Sequence, residues 1–337
     1  MASAPASVVV AGEALWDGLP GGLFLGGAPC NVGVHCTQLG RRAAAATRVG
    51  RDQLGEEIVD RLAARGVDTS LIQFDDKHRT GFVKVTMKGS EPTYDIVKAS
   101  AWDYLEASES LLAAGAAADA VVFGSLAQRE ATSRDTIRAL ARKAQRTVFD
   151  VNLRPPFVSP DVVQESAAGV WLLKLNEEEA VKLCGWAKLS AAGGAGAMAR
   201  ALGEHFACAA VVVTCGGDGA ALWRRDGGLV THAGCKVNAV DAVGAGDSFL
   251  ASLMDGLLKG EASLTPASTA RPAETDAMLR ARRTPRWCWR ARTRWARSSR
   301  RSTARRQSWT RLPSRRSWRR RRPRCTRRGI TRWELEL

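Results

Sequence analysis

Short apolar runs recur along the first 260 residues, each giving way to a turn and then to a stretch with apolar positions three or four apart. Val8-Val9-Val10-Ala11, closed by Gly12, predicts a buried strand. A Gly-rich loop follows, then an amphipathic helix from about Pro29 to Leu39, with Pro29 in its first turn. Ala45 to Val49 predicts a strand, and Gln53 to Arg65 a helix with Leu54, Ile58, Val59 and Leu62 along one side. Phe82 to Met87 and Thr93 to Val97 alternate apolar and polar residues around a turn at Gly89-Ser90-Glu91-Pro92, the pattern of a half-exposed hairpin. Ala120 to Phe123, Thr147 to Val151, Trp171 to Leu175 and Val211 to Thr214 are strand-like runs separated by helical segments. That alternation predicts an α/β fold: a mostly parallel central sheet covered by helices on both faces. The early hairpin, about 81–98, does not fit the alternation and is expected to project as a small lid.

Composition divides the chain sharply. The net charge of +16 is a sum over two unlike regions. Residues 282–337 hold 22 Arg, six Trp and two acids but no Lys, whereas residues 1–281 carry 28 basic against 32 acidic side chains. The body is mildly acidic, with a core of the size expected for one large domain or two smaller ones. The segment after Arg282 cannot bury enough aliphatic surface to offset chain entropy, so it reads as disordered or as an out-of-frame end. Eight cysteines without a CxxC pair and four scattered histidines give no zinc spacing and fit free thiols in a reducing compartment. No charged n-region precedes the first apolar run, and no apolar run approaches the roughly 20 residues of a membrane span. The expectation is a cytoplasmic protein with no membrane contact.

The chemistry concentrates in Ala242-Val243-Gly244-Ala245-Gly246-Asp247-Ser248-Phe249. Small residues ahead of an apolar helix face let backbone N–H groups turn toward an anion, and Asp247 falls in the first turn beside them. A base next to an oxyanion cradle suits transfer of phosphate onto an alcohol. Taken alone, the segment could equally be a Gly-rich turn capped by an acid. Five further segments accompany it at expected strand ends or helix starts. They are Gly12-Glu13-Ala14-Leu15-Trp16-Asp17, Gly26-Gly27-Ala28-Pro29-Cys30-Asn31-Val32-Gly33, Asp150-Val151-Asn152-Leu153-Arg154, Asn176-Glu177-Glu178-Glu179 and Thr214-Cys215-Gly216-Gly217-Asp218-Gly219. Ligands of open α/β sheets bind beyond such strand ends.

In this order the segments resemble the ribokinase-like (pfkB) carbohydrate kinases, and most of all the bacterial-type fructokinases. The resemblance runs from about Val8 to Lys259 and includes both family signatures, GGAPxN and VDxxGAGDSF. Gly124-Ser125-Leu126-Ala127-Gln128-Arg129 and the Leu-Trp-Asp of the first loop lean toward fructose. It implies a sugar kinase domain over 1–281 using ATP and Mg²⁺, with a monovalent cation such as K⁺. Asp247 resembles the base, and Gly244, Ala245 and Gly246 the anion hole. Asp17, Gly27 and Asn31 match sugar-holding positions. Asn176 and Glu179 match the N-x-x-E pair that organises Mg²⁺ and phosphate, while Thr214, Gly216 and Gly219 match the nucleotide loop. Asp241 matches a residue of the monovalent-cation site. Arg154 fits a clamp on phosphate or sugar, because a guanidinium presents a planar fork of donors. The same resemblance admits a homodimer formed through the lid.

Alternatives stand beside these assignments. Asp17 could cap a turn, Asn31 could be a plain helix-start residue, and Asn176 with Glu179 also forms a capping-box pattern. Arg154 could simply pair with an acid, and His35 reads as core or surface. Trp16, Trp102 and Trp171 read as packing rather than sugar stacking. Ala242 stands where the family commonly has Thr, and nothing after Arg282 resembles the helices that usually wall the adenine pocket. Two other functions therefore remain: a kinase fold with impaired catalysis that binds sugar or acts as a scaffold, and nucleic-acid binding through the Arg/Trp tail. The absence of Lys weighs against a genuine nucleic-acid tail.

An out-of-frame end is testable in the coding DNA. Trp is encoded by TGG and most Arg in GC-rich DNA by CGN, so a one-base shift of the Arg/Trp stretch yields Gly, Ala, Val and Leu codons. Sequencing the transcript over the codons for Met278 to Trp295 is expected to reveal an open shifted frame encoding an aliphatic segment. Stop codons in that frame, or peptides covering Trp309 to Trp318 in the native protein, would contradict it.

Overall fold

The computed structural model describes residues 7–19, 21–88, 91–234 and 243–260, with side chains described throughout except over 85–94. These residues fall within the first of two compact units, Met1–Arg283; the second, Thr284–Leu337, lies outside the described residues, and so do the expected tail and the tip of the hairpin turn.

The expected parallel sheet is present. It contains β1 (Ser7–Ala11), β4 (Arg42–Ala46), β9 (Ala120–Gly124), β10 (Thr147–Asp150), β11 (Leu172–Asn176), β12 (Ala210–Thr214), β13 (Ala220–Arg224) and β14 (Gly228–His232). Their order is β14-β13-β12-β11-β10-β9-β1-β4. Six neighbouring strands, β4 to β12, run parallel, and β13 and β14 add an antiparallel edge. Strand residues are buried on both faces in alternation. Val9, Val121, Phe149 and Leu173 face one apolar layer, while Val8, Val10, Val122 and Leu172 face the other. The first layer is closed by α3 (Glu109–Ala117), α4 (Ala131–Lys143), α5 (Pro160–Ala167), α6 (Glu177–Trp186) and α7 (Gly194–His205), through Leu111, Leu140, Val163, Leu183 and Leu202. The second is closed by α1 (Ala28–Gln38), α2 (Gln53–Ala63) and α8 (Ala245–Leu258), through Val32, Ile58, Leu62, Leu250 and Met254. Two-sided burial is why these strands read as continuous apolar runs.

The lid is larger than the sequence reading. The hairpin of β7 (Gly81–Lys88) and β8 (Glu91–Ile96) is joined by β2 (Leu15–Leu19) and β3 (Gly22–Gly26) into a four-stranded sheet, order β3-β2-β7-β8. Most of the Gly-rich loop expected after β1 is therefore strand. Two of its glycines serve packing: a Cβ on Gly18 would lie 2.7 Å from the Phe82 ring, and one on Gly26 2.9 Å from Leu15. The strand expected over Ala45 to Val49 also divides. β4 belongs to the main sheet, and β5 (Arg48–Gly50) pairs in parallel with β6 (Gln73–Asp75).

The lid is anchored at its base by charge. Arg129 lies against Trp102, 4.1 Å from the ring centroid, and donates to both oxygens of Asp103 at 2.7 and 2.6 Å and to the Val97 carbonyl at 2.6 Å. Asp103 is fully buried. Arg129→Met would leave that carboxylate buried without its cation, which costs about 3–5 kcal/mol. Urea denaturation is expected to show that loss, with partial recovery in Arg129→Met/Asp103→Asn. A single-variant loss below about 1 kcal/mol, the range of surface pairs, would contradict the anchor.

Candidate active site

Two helices start at the carboxyl edge of the main sheet, and neither has a side-chain cap. α1 follows Gly27 and α8 follows Gly244, with φ of 111° and 74° respectively, a backbone region that favours glycine. A Cβ on Gly27 would run into the Glu13 carbonyl. As expected, Asp247 lies in the first turn of α8, where it is 8% exposed. Its Oδ2 accepts a hydrogen bond of 2.9 Å from Asn31 Nδ2 on α1. The Asn31 amide and the Asp247 carboxylate, 216 residues apart, are brought into contact. Burial raises the Asp247 carboxyl above its usual range, while the Asn31 bond and the charges of Lys174, His35 and Arg154 pull it down.

Lys174 and Asp150 complete the floor of the site. They are direct cross-strand partners on β11 and β10, and Lys174 Nζ donates to both Asp150 oxygens, at 3.0 and 2.9 Å. Burial pushes Asp150 up to about 6 against the pull of Lys174; burial pulls the ammonium down, but Asp150, Glu179 and Asp247 together more than offset it and hold the group charged. Asp150 stands in one of the quoted segments and Lys174 inside the strand-like run Trp171 to Leu175, and neither has a role in the pattern of the sequence. The available signal was a Lys inside the otherwise apolar run Leu172-Leu173-Lys174-Leu175, since an unpaired Lys is almost never buried.

Asn176 and Glu179 form the capping box that the alternative reading named. Asn176 Oδ1 accepts from Glu179 N, and Glu179 Oε2 accepts from Asn176 N, each at 2.9 Å. Glu179 Oε1 accepts from Leu153 N at 2.7 Å, tying α6 to the loop that carries Arg154. Among the described residues no three His, Cys, Asp or Glu side chains gather around a cation position. Both Glu179 oxygens are taken by backbone N–H groups, so a divalent cation here would be held through water rather than by this carboxylate directly, which fits the habit of Mg²⁺.

Glu13, which sequence reasoning also left without a role, is 3% exposed just beyond β1. Its Oε1 accepts from Ala28 N at 3.2 Å, and its Oε2 is buried without a hydrogen-bond partner. Burial pushes this carboxyl up to about 7, opposed by its backbone bonds and Arg154. Asp17 is half-buried on β2, raised by burial and lowered by Arg154. Arg154 is exposed, its Nη1 bonded to the Leu153 carbonyl. Its charge reaches Glu13, Asp17 and Asp247. Trp16 and Trp102 are each 1% exposed, so both pack inside the protein, and Trp171 is half-buried. His35 is half-buried on α1 and pairs with Gln38 at 3.1 Å.

At the far end, Thr214 closes β12 and donates to the Leu175 carbonyl at 3.3 Å. Gly216 and Gly219 bound a tight turn with φ of 58° and 98°. Beside it opens a cavity of about 310 Å³ whose lining includes Cys215, Asp218, Thr231 and His232. Asp241 and Ala242 lie outside the described residues. No helix among the described residues is long and apolar enough to cross a membrane.

A family profile described as pfkB family carbohydrate kinase matches residues 21–270. A fructokinase of Escherichia coli is 32% identical over 267 residues, covering 75% of this chain and 84% of that protein. The solved structure of a sugar kinase from Pyrococcus horikoshii superposes with a TM-score of 0.63 at 27% identity, covering 78% of this chain and 87% of the other. The apo structure of a fructokinase from Vibrio cholerae O395 gives 0.64 at 26% identity, covering 81% and 94%.

Glu13 sets a pH dependence of stability. A folded-state value of about 7 against an ordinary 4.5 means that between these limits the folded protein holds a proton the unfolded chain has lost. Its contribution is complete below the ordinary value and is lost as pH rises through about 7. Glu13→Gln does not titrate, so it is expected to match the parent at acid pH and to exceed it by up to about 3 kcal/mol at mildly alkaline pH. Chemical denaturation across that range checks this; a constant offset between the two proteins would contradict it.

Proposed function

The chain belongs to the pfkB family of carbohydrate kinases and is thus a sugar kinase; from that premise we propose that it transfers the γ-phosphoryl group of ATP to a primary hydroxyl of D-fructose. The contact that carries this reading is the Asn31–Asp247 hydrogen bond. It joins a helix start on the sugar side to one whose first turn offers N–H groups to phosphate. The hydroxyl oxygen attacks the γ-phosphorus in line while its proton passes to an Asp247 oxygen. The bond from phosphorus to the bridging oxygen breaks, and ADP leaves with that electron pair. Little covalent work falls to the protein, so positioning and charge stabilisation dominate.

Gly244, Ala245 and Gly246 present the anion hole, and Arg154 clamps the phosphate or sugar. Asp17, Gly27 and Asn31 hold sugar hydroxyls. Asn176, Thr214, Gly216 and Gly219 hold the nucleotide, in line with the turn and cavity after β12. Mg²⁺ bound with ATP would supply charge neutralisation on the phosphates, with Glu179 supporting it through water; Asp241, outside the described residues, keeps the monovalent-cation role that the family resemblance implies. Fructose rests on likeness to the Escherichia coli fructokinase and on Asp17, since Leu15 and Trp16 of the same motif are buried in packing. Lid closure would shut water out and limit wasteful ATP hydrolysis. The lid sheet exposes Leu19, Leu23, Phe24 and Val97 at its strands and flank, which supports a second copy of this chain as partner. The five free cysteines among the described residues support a reducing cytoplasm. We assign the kinase domain to 1–281 and read 282–337 as an out-of-frame end; the family match stopping at residue 270 supports that division.

Asp247→Asn is expected to lower kcat by roughly 10²-fold or more while leaving sugar affinity nearly unchanged, because only the base is lost. An ADP-release assay on fructose, ribose, glucose and 2-keto-3-deoxygluconate is expected to rank fructose first in kcat/KM. Turnover of Asp247→Asn within a few-fold of the parent would remove Asp247 from the mechanism, and a tenfold preference for another sugar would move the substrate within the family.

A further inference from the structure

The Lys174–Asp150 pair is more than a strut between two strands. Lys174 is 6% exposed, and its strand neighbours Leu173 and Leu175 are fully buried. Its Nζ emerges at the first turn of α8: a Cβ built on Gly246 would lie 3.0 Å from Nζ and 3.8 Å from Cε. The missing side chain at 246 is what lets the ammonium approach the turn that carries Asp247. An ammonium has three donors, and Nζ gives hydrogen bonds to Asp150 Oδ1 and Oδ2 and to no other acceptor among the described residues. The surrounding carboxylates are otherwise committed. Both Glu179 oxygens accept backbone N–H groups, and Asp247 accepts from Asn31.

Resting on the kinase reading above, we propose that Lys174 lends its positive charge to the anion hole from beneath Gly246 and contacts the γ-phosphoryl group, with Asp150 as the positioning residue that aims it. Charge behind a cradle of N–H groups counts most where water is excluded, and a bidentate carboxylate fixes Nζ better than a single contact. A purely structural pair makes a different demand, because a buried ion pair can often be replaced by neutral residues of similar volume with no loss of stability.

The test uses the full chain and three variants, Lys174→Met, Asp150→Asn and Lys174→Met/Asp150→Asn, with equilibrium binding of ATP and of ADP and the urea midpoint measured for each. Lys174→Met is expected to weaken ATP about tenfold or more and ADP less than about threefold, the effect of losing one charge-assisted contact to the γ-phosphate. It should also lose stability, since Asp150 is left buried without its cation. The double variant is expected to regain the parent's urea midpoint and still lack the ATP affinity, which keeps the test valid if the single variant does not fold. Asp150→Asn is expected to lose ATP affinity by a smaller factor. A double variant that recovers both stability and ATP affinity, or equal losses of ATP and ADP, would show a strut only. Unchanged ATP affinity in Asp150→Asn would remove its positioning role. A parent that binds neither nucleotide overturns the kinase reading and this proposal with it; a parent that binds ATP no better than the double variant overturns this proposal alone.

Discussion

One hydrogen bond, from Asn31 Nδ2 to Asp247 Oδ2, ties together the two helix starts on which the proposed chemistry depends. α1 and α8 cover the same face of the sheet and share one apolar layer, with Val32, Leu250 and Met254 buried in it. Any drift of one helix against the other would open the Asn31–Asp247 contact. The wider fold serves that alignment. Six parallel strands bring distant segments to a common edge, and two glycines with positive φ start the helices without side chains in the way.

The same edge gathers Glu13, Asp17, Asp150, Glu179 and Asp247 around Lys174 and Arg154, and each carboxyl is accommodated differently. Glu179 takes backbone N–H groups at both oxygens, Asp150 takes the ammonium, and Asp247 takes an amide. Glu13, with one oxygen buried without a hydrogen-bond partner, is pushed by burial up to about 7, and Asp150, held by the ammonium, to about 6. Burying like charges without partners would be costly, so each is paired, hydrogen-bonded or raised in pKa. Asp247 combines burial with a single side-chain hydrogen bond beside a helix start, the placement on which the proposed role of general base rests.

Much of this was legible in the sequence. Val8 to Ala11, Ala120 to Phe123 and Val211 to Val213 read as strands because two-sided burial leaves nothing polar in them. Asp247 read as a first-turn residue because small residues precede it and an apolar stripe follows. β2 and β3 were not legible, since Gly18, Gly22 and Gly26 break the period-2 pattern that marks a strand. Two of these glycines, Gly18 and Gly26, are explained by side chains of neighbouring residues packed against them. The antiparallel edge of β13 and β14 went unread as well, because only three residues of Ala220 to Arg224 are buried and Gly228 to His232 is mostly exposed, so neither forms a continuous apolar run. Lys174 and Glu13 escaped assignment for a common reason: their roles arise from partners on other strands or helices, Asp150 and Ala28, which local pattern does not join to them.

The most direct measurement is a crystal structure of the protein with ADP, aluminium fluoride as a mimic of the transferred phosphoryl group, and fructose. If the first turn of α8 and Asp247 act as one unit, the fluoride lies against the N–H groups of Ala245 and Gly246. A primary hydroxyl of the sugar then lies roughly 3 Å from an Asp247 oxygen, the reach of a general base. A sugar whose hydroxyls contact Arg154 or Asp17 but leave Asp247 bonded only to Asn31, with the fluoride bound away from α8, would contradict it.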